Sequence, residues 1–413
     1  MTDTNSQKID EILDRGTIIE ILPTKEEFRQ KLLSGKKMRF YIGFDATSPT
    51  LHLSHAKNIM LMEKFRKLGH EVIILFGDFT ARIGDPTGEN SARKQLTKKE
   101  VDSNVKQWKK LIKPLMNFND FRNPPKIMYN SAWFAKLNFE DILNLGSKIT
   151  VPRLLERDMY KKRLQEGKTV FLHEFMYPLM QGYDSVAMDV DVEICGTDQI
   201  FNALVGRDLL EKIKGKEKFV VAVTLMENPK TGELMSKSKG TGVFLDAKPS
   251  EMYGQIMAQP DEMVEILFVN NTYLPLDEIK KIVDGSPRDA KAKLAKEIVK
   301  MYHGEKAAEK AEEEFNKIFR DKKLPSDILV FNTDKKTYPI LDLLFDAKLV
   351  LSKNEARRLV EGGAVELIKG EPASAEGFGE AREKITDWKK EINLEDGIII
   401  KVGSRRFIKV KIK

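Results

Sequence analysis

An apolar run from Met38 to Phe44 is followed by a helix-patterned stretch from about Ser54 to Gly69. A second apolar run follows, Glu71 to Phe76. The two runs read as buried strands, and they lead into the turns Gly43-Phe44-Asp45-Ala46-Thr47 and Gly77-Asp78. Strand, helix and strand joined by short turns form a βαβ unit, which implies a parallel sheet with a right-handed crossover. Ligands of such sheets sit beyond the carboxyl ends of the strands, so these turns are where a site is expected.

The rest of the chain extends the pattern. Residues 8 to 34 read as helical and amphipathic. Residues 97 to 165 read as mostly helical, broken at Asn123-Pro124-Pro125, with a strand Lys126-Ile127-Met128-Tyr129 that ends at Asn130. A helix from Glu174 to about Met188 leads into a strand from Val190 to Cys195 and then Gly196-Thr197-Asp198-Gln199. Phe219 to Met226 is a further apolar strand. From Pro249 to about Lys323 the pattern is helical and charged, with Ser286 as an N-cap before Pro287. Near Tyr338 a new unit begins, with a helix from Ser352 to Glu361 stopped by Gly362-Gly363, and then strands. The expected fold is α/β. A Rossmann-like parallel-sheet domain spans 1–248, a helical domain 249–325, a linker 326–337, and a small α+β domain 338–413.

At 413 residues the chain exceeds one core. It is 41% hydrophobic and 32% charged, as soluble globular proteins are. No apolar run reaches the ~18 residues of a membrane span. The N-terminus shows no secretory h-region. Cys195 is the only cysteine, which excludes an internal disulfide and a Cys-cluster zinc site and makes a reducing, cytoplasmic setting the default. The net charge of +7 gives weak support to a polyanionic partner. The stretch Ile398 to Lys413 is more specific. It carries Lys401, Arg405, Arg406, Lys409, Lys411 and Lys413 and no acid, and its alternation reads as a strand with one basic face.

Two short stretches point to nucleotide chemistry. In His52-Leu53-Ser54-His55 the histidines lie three apart at a helix start, where phosphate is already favoured. In Met235-Ser236-Lys237-Ser238, Lys237 sits among small residues before Lys239 and two glycines, in a loop suited to bring a cation to a phosphate. Capping histidines and a solvated basic loop would read the same way in isolation. Tyr177, Gln181 and Asp184 fall at i, i+4 and i+7 of one otherwise apolar helix, so they form an inward polar stripe that must be satisfied. A ligand with an amino end and a hydroxyl end would satisfy it, and so would an internal hydrogen-bond network.

Taken in order, the motifs resemble the tyrosyl-tRNA synthetases. The matching runs are Tyr41-Ile42-Gly43-Phe44-Asp45-Ala46-Thr47 with His52-Leu53-Ser54-His55, Gly84-Asp85-Pro86-Thr87-Gly88, Tyr177 to Asp184, Gly196-Thr197-Asp198-Gln199, and Leu234-Met235-Ser236-Lys237-Ser238. The resemblance implies a class I aminoacyl-tRNA synthetase. Such an enzyme makes tyrosyl-adenylate from tyrosine and ATP with Mg²⁺, releases pyrophosphate, and passes tyrosine to tRNA(Tyr). No protein-bound metal is expected.

By the same resemblance, Tyr41 and Asp184 hold the phenolic hydroxyl. Asp85, Tyr177 and Gln181 bind the ammonium group, and Gln199 lies near the carboxylate. Gly196, Asp198 and His55 contact the ribose. Thr47, His52 and Lys237 stabilise the leaving pyrophosphate, Gly43 lets backbone approach the adenylate, and Asp45 lines the nucleotide site with Asn130. The chain departs from the family pattern at Ser54, where glycine is usual, and at Leu234, where a lysine is usual. At Glu89 some relatives carry lysine.

The unit from about Tyr338 resembles a small RNA-binding domain of a ribosomal small-subunit protein, with Lys353, Arg357, Arg358, Arg405 and Arg406 as its phosphate-contacting cations. The segment 120–166 is where the family forms its homodimer. A tryptophanyl-tRNA synthetase shares the catalytic fold, and a synthetase-like RNA-binding protein without catalysis is the rival of another class.

Overall fold

The structure, a computed structural model, describes residues 2–83, 96–235, 241–319, 328–350, 352–369, 381–403 and 406–412. They form two compact units, Met1–Glu309 and Lys310–Lys413. The division falls within the helix Glu305–Phe319 rather than at 248/249 or in the expected linker.

The first unit is built on six strands: β1 (Ile18–Leu22), β2 (Arg39–Phe44), β3 (Glu71–Phe76), β4 (Lys126–Tyr129), β5 (Val192–Gly196) and β6 (Phe219–Val223). Their order is β1-β6-β5-β2-β3-β4. Every neighbouring pair is parallel except β1 with β6. The chain leaves β2 towards β3 on one side and returns through β5 on the other. A crevice therefore opens at the carboxyl ends of β2 and β5.

Residues 8–34 are not one helical stretch. They form helix α1 (Ser6–Leu13), strand β1 and helix α2 (Lys25–Leu33). Gly16 takes φ 91°, a left-handed value that suits glycine and turns the chain out of helix. The β-branched run that follows bonds to the edge of β6 instead of to itself. Phe28 of α2, Phe40 of β2 and Phe65 of helix α3 (Leu53–Lys67) are fully buried together, and the rings of Phe40 and Phe65 stack at 4.5 Å. Each such ring contributes roughly 1.5–3 kcal/mol on burial, which holds α2 and α3 to the sheet.

The helix Leu172–Met188 carries Pro178 in its interior. Proline offers no N–H to the carbonyl of Glu174, and the Tyr160 hydroxyl donates to that oxygen instead, at 2.8 Å. The next helix, Ile200–Lys214, crosses it glycine to glycine. A Cβ on Gly182 would stand 3.1 Å from the Gly206 nitrogen, so neither glycine can be enlarged cheaply.

The helical block of Pro249–Met257, Val264–Asn271, Leu276–Val283 and Pro287–His303 belongs to this same unit. Arg15 donates to the carbonyls of Val269 and Thr272, both at 2.8 Å, and Asn271 Nδ2 donates to the Leu53 carbonyl at 2.8 Å. The Arg15 bonds tie the block to the turn after α1 and the Asn271 bond ties it to the start of α3, so no packing break occurs at 248/249.

In the second unit, β7 (Leu329–Thr333) lies in the interval expected as linker, yet it pairs in parallel with the last strand, Arg406–Ile412. Its polar flanks disguised a β-branched and aromatic run. The last strand alternates as its sequence predicts, with Ile408 and Val410 buried and Lys409 and Lys411 exposed. The helix Lys353–Glu361 is capped by Ser352, whose hydroxyl accepts from the Glu355 nitrogen at 3.2 Å. No helix among the described residues is long and apolar enough to cross a membrane.

Candidate active site

The crevice at β2 and β5 opens into a cavity of about 330 Å³. Its floor is the end of β2. Gly43 is exposed there although its strand is central. A Cβ built on it would meet only Leu75 and Tyr41 side-chain carbons, at 3.8 and 4.0 Å, so the backbone is open to whatever fills the cavity.

At one end lie Tyr41 and Asp184, 1% and 4% exposed. Asp184 accepts from Trp133 Nε1 at 2.8 Å and from Asn130 Nδ2 at 3.4 Å. Burial pushes its carboxyl well above the usual range, and those two donors pull it back. The Tyr41 hydroxyl shares a hydrogen bond with Ser185 Oγ at 3.0 Å. Burial pushes that phenol up as well, and the Glu193 and Asp184 carboxylates add to the effect.

The predicted stripe of Tyr177, Gln181 and Asp184 faces inward and lines the cavity. Protein neighbours meet part of its hydrogen-bonding capacity. Tyr177 donates to Asp45 Oδ2 at 2.8 Å, and Thr80 donates to Asp45 Oδ1 at 2.6 Å. Gln181 Nε2 donates to Glu193 Oε1 at 3.1 Å, and Asn202 Nδ2 donates to both Gln181 Oε1 and Gln199 Oε1. Asp45, expected to line the nucleotide site, and Tyr177, expected at the ammonium group, are thus joined to each other.

The histidines stand where α3 begins. The backbone N–H of His52 donates to His55 Nδ1 at 3.4 Å, which leaves the proton of a neutral His55 on Nε2. Burial lowers His52 to about 4 and His55 to about 3, so both are neutral at pH 7. His55, Thr47, Gly196, Asp198 and Gln199 line the cavity, whereas His52 flanks it. His52 Nδ1 is buried with no hydrogen-bond partner among the described residues.

The neighbouring loops are pinned in place. Asn104 and Trp108 of helix α4 (Lys98–Ile112) donate to the carbonyls of Ala46 and Ser48, at 2.8 and 2.6 Å. Leu53 N donates to the Val243 carbonyl at 3.1 Å, and Leu245 N to that of Leu51 at 2.9 Å. The segment that follows Lys237 therefore runs beside His52. Lys237 itself lies outside the described residues, as do Asp85, Glu89 and Arg405.

Several residues at this site were not singled out from the sequence. Trp133 meets Asp184, and Ser185 meets Tyr41. Lys57 is 2% exposed, lines the cavity, and is lowered by burial to about 7, against the pull of Asp198. Glu193 was readable as a charge inside an apolar strand, and Ser185 as the next step of the 177–181 stripe. Nothing local marked Trp133.

In the second unit, Lys353 pairs with Asp342 at 2.6 Å, Arg357 with Glu361 at 2.9 Å and Arg406 with Glu355 at 2.8 Å. Exposed pairs of this kind are worth about 0–1 kcal/mol, so they cost little to break. The Arg357 guanidinium also lies 4.3 Å from the centre of the Trp388 ring. Arg358 is exposed on the same helix. No group of three or more His, Cys, Asp or Glu side chains suited to hold a metal occurs among the described residues.

The geometry agrees with three kinds of relatedness. A family model for class I tRNA synthetases of the tryptophan and tyrosine group matches residues 33–320. The tyrosine–tRNA ligase of Carboxydothermus hydrogenoformans is 39% identical, covering 97% of each chain. That of Moorella thermoacetica is 38% identical over 97% of this chain and 94% of its own. Among solved structures, a C-terminally truncated mitochondrial tyrosyl-tRNA synthetase of Aspergillus nidulans superposes with a TM-score of 0.65. It is 24% identical and covers 76% of this chain and 94% of its own. A tyrosyl-tRNA synthetase of Archaeoglobus fulgidus, complexed with L-tyrosine, superposes with a TM-score of 0.58 at 19% identity, over 74% of this chain and 99% of its own. At those identities the structural matches speak for the fold, while the relatives similar over nearly the full length speak for the family: this chain belongs to the class I tyrosyl-tRNA synthetases.

Proposed function

We propose that this chain activates tyrosine with ATP and charges tRNA(Tyr). The observation that carries the reading is that the Tyr41 hydroxyl and the Asp184 carboxylate, both buried, line the same cavity. A phenol placed there gives its proton to the carboxylate and accepts from the hydroxyl, so both its hydrogen-bonding roles are met. An indole offers one N–H and no acceptor, which leaves Tyr41 unanswered and disfavours tryptophan. Tyr177, Gln181 and Asp85 would take the ammonium group, and Gln199 would face the carboxylate.

In the first step a carboxylate oxygen of tyrosine attacks the α-phosphorus of ATP in line. The bond from that phosphorus to the bridging oxygen breaks, and pyrophosphate leaves. No covalent enzyme intermediate or general base is required, so rate comes from positioning and charge stabilisation. Thr47, His52 and Lys237 would meet the charge on the leaving group, and His55, Gly196 and Asp198 the ribose. Gly43 and Asp45 line the nucleotide's path. Magnesium would arrive with ATP as part of the substrate. In the second step a hydroxyl of the terminal adenosine of tRNA attacks the tyrosyl carbonyl, and AMP leaves. Pyrophosphate exchange dependent on tyrosine tests the first step.

The second unit would hold tRNA through Lys353, Arg357, Arg358, Arg405 and Arg406. A homodimer through residues 120–166 is supported by large apolar side chains left open there and just beyond, including Phe121 (86% exposed), Phe139 (74%) and Leu172 (80%). The lone buried Cys195 suits a reducing cytoplasm. Removing residues 320–413 should leave pyrophosphate exchange intact, abolish tRNA charging and preserve a sedimenting dimer. Loss of exchange would make the second unit part of the catalytic fold, and a truncated monomer would contradict the placement of the dimer contact.

A further inference from the structure

Beside the cavity a row of polar side chains runs with a fixed chemical direction. It starts at Lys218 and Glu193, whose side chains are 0% and 2% exposed and form an ion pair. Glu193 Oε2 faces Lys218 and the Ser185 hydroxyl, and Oε1 accepts from Gln181 Nε2 at 3.1 Å. Gln181 Oε1 accepts from Asn202 Nδ2 at 2.9 Å, and Gln199 Oε1 accepts from the same nitrogen at 2.8 Å. Gln199 Nε2 then donates to Asp198 Oδ2 at 3.1 Å.

The two ends of a side-chain amide have nearly the same shape and opposite chemistry, so its orientation is set by its neighbours. Here both ends of the row are carboxylates, which only accept. Each glutamine must therefore turn its NH₂ towards a carboxylate and its carbonyl towards Asn202. Asn202 has two amide protons and uses both. The carbonyl oxygen of Gln181 keeps a second lone pair, and Gln181 lines the cavity.

This direction holds only while Glu193 remains an acceptor. A buried carboxylate without a cation tends to take up a proton and so to become a donor. Lys218 is the cation, and the fold makes room for it. A Cβ on Gly206 would stand 2.7 Å from Lys218 Nζ and 3.0 Å from Ser185 Oγ.

We infer that Lys218, a residue outside the cavity lining, is a positioning residue for the amino acid. Through Glu193 it fixes Gln181 with its carbonyl towards the substrate ammonium group. The inference rests on the proposed binding of tyrosine at Gln181.

A neutral isostere tests it. In Glu193→Gln the new amide meets donor-only Lys218 on one side, so it must turn its carbonyl there and its NH₂ towards Gln181. Gln181 is then forced to reverse. The KM for tyrosine in pyrophosphate exchange should rise at least about tenfold, with the KM for ATP within about twofold of wild type. Adding Lys218→Met frees the new amide to turn its carbonyl to Gln181. The KM for tyrosine should then return to within about threefold of wild type.

A row that only packs would make the double variant no better than the single one. That result, or a folded Glu193→Gln with an unchanged KM for tyrosine, overturns the inference. Should Glu193→Gln fail to fold, Asn202→Asp tests the same row by facing both carbonyls with an acceptor. It should raise the KM for tyrosine, and an unchanged value overturns the inference. Wild-type protein without tyrosine-dependent exchange would instead sink the functional reading itself.

Discussion

Asp184→Asn is expected to lower kcat/KM for tyrosine in pyrophosphate exchange by roughly 10²- to 10⁴-fold. The carboxylate has two jobs. It would accept the substrate phenol, a bond to a charged group worth about 1.5–3 kcal/mol. It also accepts from Trp133 Nε1 and Asn130 Nδ2, one on each oxygen. An asparagine must point its NH₂ at one of those donors and leave it buried without an acceptor, at a further cost of about 1–3 kcal/mol. Phenylalanine has no phenol to lose, so its activation should fall less and the ratio of the two substrates should narrow. The check is kcat/KM for both amino acids. An equal fall for both would mean a collapsed site and would remove Asp184 as the specificity acid.

His52→Ala is expected to lower kcat for exchange by roughly 10²- to 10³-fold, the usual cost of removing one donor aimed at developing charge. The KM for tyrosine should stay within about threefold, since His52 is not among the residues proposed to hold tyrosine. The backbone around His52 is held by the bonds between 51–53 and 243–245, so the substitution removes a ring without freeing the loop. Burial keeps both histidines neutral down to about pH 5, because their values are lowered to about 4 and about 3. Their proposed contribution would then be that of N–H donors, not of cations, and the wild-type rate should show no histidine titration between pH 6 and 8. Unchanged kcat with a raised KM for tyrosine would contradict this role.

Much of the site was legible because its residues lie at strand ends and at helical spacing. β2, β3 and β4 each match an apolar run bounded by a turn, and the stripe of Tyr177, Gln181 and Asp184 follows from periodicity alone. What stayed hidden depends on contacts distant in sequence. The β1 run reads as helix until β6 offers it an edge 200 residues on, and β7 reads as linker until the last strand pairs with it. Trp133 reaches Asp184 from 51 positions away, and Lys218 reaches Glu193 from 25. Periodicity within one segment carries no information about such pairs. The resemblance to the family supplied roles to residues whose chemistry alone left two readings open. The protein's own hydrogen bonds meet part of that chemistry, as between Tyr177 and Asp45 and between Gln181 and Glu193.

Pyrophosphate exchange into ATP, run with tyrosine, tryptophan or phenylalanine as the only amino acid, tests the central claim most directly. Exchange with tyrosine and near-background rates with the other two are predicted. Exchange with tryptophan alone, or with none of the three, would contradict it.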